Sequence, residues 1–424
     1  MTMPYWFENP MLKAIVPLAL STAMKGLNTI IRVPAIYAGF NVLPEGPVIG
    51  PSTIGALAPR CPRKRAFLVT DEFNERNGQR VAQFLKANSF STELWPKTLP
   101  EVPLPNALEC AKAMKDFEPD LVMAVGGGSV MDMAKAAWIL YERPDIQDLA
   151  MISPLDPLNL RQKAILAAVP TTSGTGSECT GAAVLTDLVA HRKIPIANLE
   201  LIPDVAILCP EFTISMPPGL TAGTGLDVLA HAMDAATTPA ANEFTEPLAL
   251  KAIEMVFQWL PVAYKNGEDR EARHRMMLAA TLAGIAFGTS GCHLTHSLGH
   301  SLGAVFGIHH GLAVGFFIPH TLQFCSMVTD RHLSICRTLG LAALDPAGAL
   351  KALLGKVRGL LSELGVPLTL EGFGIRAEQL EAEMPTLVKY AYEDVDSYFS
   401  PRPITQLQCE KLFRYAFQGR EVDF

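Results

Sequence analysis

Residues 120–142 read DLVMAVGGGSVMDMAKAAWILYE: an apolar run, three glycines with a serine, then a helix-spaced segment. The apolar run from Leu121 is short and ends in glycine, which predicts a buried strand. Glycine backbone can approach a phosphate closely, and the free amides of a helix start attract anions. Such a loop sits at the carboxyl end of a strand, where open α/β sheets bind ligands. The spacing is neither GxGxxG nor a Walker A loop. Alone, the loop is explained equally well as a tight turn.

On either side the same alternation continues. RAFLVTD (Arg65–Asp71) and FSTELWP (Phe90–Pro96) read as strands. NGQRVAQFLKANS (Asn77–Ser89) and NALECAKAMKDFEPD (Asn106–Asp120) read as helices, the second with Asn106 as its N-cap. AILAAVPTTSGTGSE (Ala164–Glu178) repeats the strand-to-loop form. Alternating strand and helix predicts a mostly parallel sheet with helices on both faces. Beyond Cys209 the texture becomes helical to the end, with a helix start at MPPGLT (Met216–Thr221) and breaks near Gly267, Gly291, Gly307 and Pro346. A domain boundary is expected at Pro210–Pro218.

Two hydroxyl- and glycine-rich loops after two strands of one sheet can converge on one pyrophosphate. Asp71, at the end of an earlier strand, could accept both ribose hydroxyls of an adenosine, or could simply cap a helix. In the first role it would repel a 2′-phosphate and favour NAD over NADP.

The totals fit small-molecule chemistry. At 424 residues the chain is too long for one ordinary core. Its net charge of 35 − 42 = −7 and its lack of basic runs disfavour nucleic-acid binding. Eight dispersed cysteines form no CxxC pair and point to buried thiols in a reducing cytoplasm. Near the amino end, Lys13 and Lys25 bracket only eleven residues, too few to span a bilayer. That segment is expected to be a helix docking a neighbouring subunit, a partner or a membrane surface.

HSLGHSLGAVFGIHHG (His296–Gly311) holds four of the ten histidines in sixteen residues. His296 and His300 are four apart, as are Asp227 and His231 in GLDVLAHAMDA (Gly225–Ala235), so each pair leaves one helix face. A single such histidine is ordinarily a packed, hydrogen-bonded residue, and an Asp–His pair a local salt bridge. Together, Asp227, His231, His296 and His310 offer three imidazoles and a carboxylate, a set suited to divalent Fe, Zn or Co. His309 adjoins His310, and spacing alone does not choose between them. Phe287, Phe306, Phe316 and Phe317 hint at an unbranched or aromatic substrate over a highly charged one, although such residues are more often core.

GGGSVMDMAK, PTTSGTGSE, the Asp–x3–His pair and the HSLGH…HHG segment occur in one order, and SPRPIT (Ser400–Thr405) follows them. In this the chain resembles the iron-containing, group III alcohol dehydrogenases from roughly Ile49 to Gly419. The resemblance implies an α/β nucleotide-binding domain with a parallel sheet and an all-α metal-binding domain, the dehydroquinate synthase-like fold, with the site in the cleft between them. The expected ranges are 1–46 for a helical extension, 47–213 for the NAD domain and 214–424 for the helical domain. By position it implies Asp227, His231, His296 and His310 as metal ligands, which chooses His310 over His309. It implies His300 as a catalytic histidine beside the nicotinamide. Asp71, Gly127, Gly128, Ser129, Thr171, Thr172, Thr180 and Lys193 would line the NAD site.

The implied activity is hydride transfer between an alcohol on Fe(II), or Zn, and NAD, giving an aldehyde, in a homodimer or larger homo-oligomer. The chain departs from the family in some forty added residues before Pro47, and in EVPLPN (Glu101–Asn106) where Pro-Asn-Pro is usual. A dehydroquinate-synthase-like or glycerol-dehydrogenase-like enzyme on the same scaffold is the alternative; the former needs more basic residues than the motifs carry. A non-haem iron oxygenase would not need two phosphate-type loops, and a scaffold protein would not need four ligands.

Overall fold

The computed structural model describes residues 31–44, 52–146, 148–154, 157–188, 192–341 and 345–424, without the side chains of 192 and 193. The helix expected at the amino end falls outside the described residues. The chain forms two compact units, 31–215 and, among the described residues, 216–424.

The first unit is built on a six-stranded sheet in the order β1-β8-β5-β4-β2-β3, with every pairing parallel. Its strands are β1 (Ala35–Ala38), β2 (Arg65–Val69), β3 (Ser91–Trp95), β4 (Leu121–Gly126), β5 (Ile165–Pro170) and β8 (Val205–Leu208). The central strands β4, β5 and β8 are buried along their whole length, as a parallel sheet covered on both faces requires. A short α1 (Thr53–Leu57) precedes β2. The longer helices are α2 (Glu75–Ala87), α3 (Leu104–Phe117) and α4 (Gly128–Glu142). α2 turns Val81, Phe84 and Leu85 inward at helical spacing.

From β2 the chain runs out to β3, then crosses back to β4 on the other side of β2. That reversal makes the carboxyl ends of β2 and β4 the switch point of the sheet, where Asp71 and the first glycine loop lie. Carboxylates at the opposite, amino end are structural. Asp120 accepts the backbone N–H groups of Arg63, Lys64 and Arg65 at 2.6, 3.1 and 2.8 Å.

Three sequence expectations need correction. Ala35–Ala38, placed within a helical extension, is an edge strand whose Ala35 pairs with Val205; four residues carry too little periodicity to signal it. Asn106 is not an N-cap, since α3 starts at Leu104 after Pro103. Its amide instead binds Leu99 N–H at 3.0 Å and Lys97 carbonyl at 3.1 Å, tying down the exit of β3. Finally, β6 (Ala182–Asp187) and β7 (Arg192–Ala197) form an antiparallel hairpin outside the main sheet, which alternation of strand and helix did not foretell.

The second unit is helical: α5 (Pro218–Thr237), α6 (Thr245–Lys265), α7 (Arg270–Ser290), α8 (Leu294–Phe306), α9 (His310–Ser326), α10 (His332–Thr338), α11 (Pro346–Glu363), α12 (Ala377–Glu393) and α13 (Gln406–Gln418). Proline at the first turn of α5 and α11 suits a position that needs no N–H donor. Gly291 and Gly307 end α7 and α8 at positive φ. One core joins α5, α6, α7 and α11, and another joins α8, α9, α12 and α13. Among the described residues no single helix is long and apolar enough to cross a membrane.

Candidate functional site

α5 carries Asp227, His231 and Asp234 at i, i+4 and i+7, one stripe of a helix buried on all sides. α8 carries His296 and His300 one turn apart, and His310 opens α9. The helices meet where side chains are absent. A Cβ on Gly311 would lie 2.0 Å from the Gly223 carbonyl oxygen and 3.2 Å from Asp227 Cβ, so only glycine lets α9 start this close to α5.

The result is a cluster about Asp227 Oδ1. His310 Nε2 lies 3.1 Å from it, His231 Nε2 3.7 Å and His296 Nε2 3.9 Å. Two ligand atoms held at about 2.1 Å by a tetrahedral ion stand about 3.4 Å apart, so these spacings need only small adjustment. Asp227 Oδ1 and His296 Nε2 are both buried without a hydrogen-bond partner. Two buried lone-pair groups without partners are costly unless something satisfies them, and a divalent cation would. His309 points elsewhere, with its Nδ1 2.7 Å from where a Gly223 Cβ would stand.

Electrostatics agree with this arrangement. Burial opposes the Asp227 carboxylate, but His231 and His310 beside it hold the group well below its ordinary range. Burial pulls His231 down to about 3, leaving a neutral ring with a lone pair to donate. Phe287 stacks flat on that ring at 4.1 Å between centroids. For His296 burial again disfavours charge, while Cys292, Asp227 and Asp234 together raise it well above the ordinary value.

Behind His296 stands a residue the sequence reading missed. Asp234 Oδ2 lies 2.8 Å from His296 Nδ1 and accepts the His293 backbone N–H at 2.9 Å. A carboxylate on the far nitrogen fixes the tautomer and leaves Nε2 free to ligate. Its position seven residues after Asp227, on the same stripe, was the available signal. His293 Nε2 lies 2.8 Å from Thr237 Oγ1 in the same buried network.

His300 is half-buried. Its Nδ1 lies 2.9 Å from Asp394 Oδ2 and its ring stacks on His310 at 5.1 Å. Burial opposes its charge, but Asp394 raises it above the ordinary histidine value. Burial, with Asp394 alongside, pushes Asp396 up to about 7. Phe316 and Phe317 are core residues, 1% and 0% exposed, and give no information on substrate.

In the first unit the two glycine loops touch. A Cβ on Gly127 would lie 3.4 Å from Thr172 Cγ2, and one on Gly128 2.9 Å from Thr175 Cγ2. No side chain caps α4, whose first-turn amides at Gly128 and Ser129 are therefore available to an anion. Thr171 and Thr180 are buried in the second loop and Thr172 is half-buried. The side chain of Lys193 lies outside the described residues. Asp71 accepts Asn74 N–H at 2.7 Å and so closes the turn before α2 rather than capping the helix, whose N-cap Asn74 has no side-chain cap; Asp71 Oδ2 is bound by the Asn74 amide at 3.1 Å. Lys135, fully buried, donates to Ser177 O, Ser177 Oγ, Thr180 O and Ala182 O at 2.7–2.9 Å and clamps the second loop. Sequence reading also missed Ser173 and Thr98, whose buried hydroxyls lack partners.

The pattern of the family described as iron-containing alcohol dehydrogenase matches residues 44–210, and that of the Fe-containing alcohol dehydrogenase family, C-terminal, matches 221–417. The chain is 35% identical over 346 residues to the NADPH-dependent butanol dehydrogenase of Clostridium saccharobutylicum, covering 81% of this chain and 89% of that one. It is 31% identical over 384 residues to the NAD-dependent methanol dehydrogenase of Bacillus methanolicus, covering 88% and 98%. It spans 45% of the longer aldehyde-alcohol dehydrogenase 2 of Entamoeba histolytica. The solved iron-containing alcohol dehydrogenase of Thermococcus thioreducens superposes with a TM-score of 0.81 at 29% identity, over 92% of this chain and all of that one. Identity of this extent across both units places the chain in the iron-containing alcohol dehydrogenase family.

Proposed function

We propose that this protein is an NAD-dependent, divalent-metal-dependent alcohol dehydrogenase that also runs in reverse as an aldehyde reductase. The observation that carries the proposal is the pair of orphaned buried atoms, Asp227 Oδ1 and His296 Nε2, with His310 and His231 turned to the same oxygen. These four residues would hold the metal, Fe(II) by family and Zn by the same donor set. Bound there, the cation would supply Lewis acidity toward an alcohol or carbonyl oxygen, and NAD would supply the hydride acceptor.

The chain's own residues do the rest. Gly127, Gly128 and Ser129 present backbone amides to the pyrophosphate, and Thr171, Thr172 and Thr180 form the opposing wall. Lys193 is carried over to the same site by its position in the sequence. Asp71 is proposed to accept the ribose hydroxyls through its less occupied oxygen and to repel a 2′-phosphate. The relatives divide on this point by name, so the choice of NAD rests on Asp71. His300, held through Nδ1 by Asp394, is proposed to take the alcohol proton toward solvent on Nε2. Eight buried cysteines without a disulfide support a reducing, cytoplasmic setting. The low charged fraction, 18%, supports a homo-oligomer with covered surface.

Anaerobic purification with elemental analysis, followed by a screen of alcohols and aldehydes with NAD and NADP, tests the reading. About one Fe or Zn per chain and net NADH formation are expected. A metal-free chain as active as the loaded one would end it.

A further inference from the structure

His293 is buried, stands at the N-cap position of α8 and gives that helix no side-chain cap. Its backbone serves the metal centre instead. The His293 carbonyl accepts the His296 backbone N–H at 2.9 Å, and the His293 N–H donates to Asp234 Oδ2 at 2.9 Å. Its ring reaches the other oxygen of the same carboxylate. His293 Nε2 lies 3.2 Å from Asp234 Oδ1, a buried oxygen with no hydrogen-bond partner of its own, and 2.8 Å from Thr237 Oγ1. Asp234 and Thr237 are three residues apart on α5 and so share a face.

The neighbours decide where the ring proton sits. Thr237 has a single hydroxyl proton and donates it to the Met233 carbonyl at 2.7 Å. Its oxygen therefore accepts from the ring, which puts the His293 proton on Nε2. A bare Nε2 would turn a lone pair toward the Asp234 carboxylate, whereas an N–H there makes a charge-assisted contact. Packing does not hold the group tightly. Asp234, Thr237 and His293 line a cavity of about 10 Å³, room for a single water. Polar contacts, more than steric fit, therefore orient the ring and the carboxylate.

We propose that His293 is a positioning residue of the metal centre: its ring Nε2–H and backbone N–H clasp the two oxygens of Asp234 and so fix the carboxylate that orients His296. The inference rests on the reading of the Asp227 cluster as a metal centre. His293 acts through Asp234 and is not itself a ligand. Its carbonyl holds the His296 backbone while Asp234 holds the His296 ring, so one residue steadies both ends of that ligand.

The full-length chain, stripped of metal, is titrated anaerobically with Co(II) against a competing chelator. His293→Leu removes the ring donor at similar volume and is expected to weaken Co(II) binding about 10-fold, the low end of what losing an outer partner costs. His293→Gln, whose side-chain N–H can take the place of Nε2–H, is expected to recover most of that loss. Equal affinity in His293→Leu and the wild type overturns the inference and leaves the metal centre standing. A loss that His293→Gln does not recover overturns it too, since packing rather than the donor would then be responsible. A wild-type chain that binds no Co(II) overturns both readings. Should either variant fail to fold, neutron diffraction from wild-type crystals decides: deuterium is expected on His293 Nε2, and deuterium on Nδ1 alone overturns the inference.

Discussion

Asp234 is fully buried, touches no expected ligand through the metal side, and still governs His296 by taking its Nδ1 at 2.8 Å. Asp234→Asn keeps the volume but removes the charge and lets the ring turn. Metal affinity, measured by competition with a chelator, is expected to fall about 10–100-fold, with partial recovery in Asp234→Glu. An unchanged affinity would reduce Asp234 to scaffold. Lys135 makes a second residue-scale case. Burial pulls its ammonium down to about 8, with Asp132 opposing. The unfolded chain keeps that proton to about pH 10.4, so between these values it binds more protons than the folded chain. Stability from this group therefore rises with pH across that window. Urea titrations at pH 8 and 10 should show this increment in the wild type and its loss in Lys135→Met. The same variant frees the loop 171–180 and is expected to raise KM for NAD more than it lowers kcat.

Elements meet here on glycine. α9 starts against α5 because position 311 has no side chain, and the histidine just before it thereby reaches Asp227. Gly311→Ala places a methyl group on the Gly223 carbonyl. It is expected to cost about 1–3 kcal/mol in stability, by denaturant titration, and to lower bound metal as His310 withdraws. A stable variant with full metal content would show that the two helices have slack. Helix spacing made the Asp227–His231 and His296–His300 pairs legible in advance, because a turn of helix is a local property. Asp234 lay on the same stripe and went unread, since nothing local tells a ligand's support from a core carboxylate. The β6–β7 hairpin and the edge strand β1 were unread for a related reason: their pairing partners are distant or outside the sheet.

Over the whole molecule, the residues proposed to hold the metal lie in 216–424 and those proposed to line the NAD site, His300 apart, lie in 31–215, so the stabilities of the two units are expected to respond separately. A ligand at a hundred times its Kd stabilises the state it binds by about 2.7 kcal/mol. Stripping the metal is expected to lower the melting transition of 216–424, read by calorimetry, and leave that of 31–215 in place. NAD is expected to raise the latter. A single transition that shifts as one body with either ligand would refute this independence. By itself, the amino-acid sequence determined the alternation of strand and helix, the two glycine loops, the change to helix after Cys209 and the spacing of the histidine pairs. All are set by periodicity and backbone chemistry within a few residues. Tertiary structure alone decided that Asp234 stands behind His296, that Asp394 holds His300 from 94 residues away, and that Gly311 lets His310 come within 3.1 Å of Asp227. Those contacts depend on how closely helices approach and at what rotation, and the shape of packed side chains fixes both.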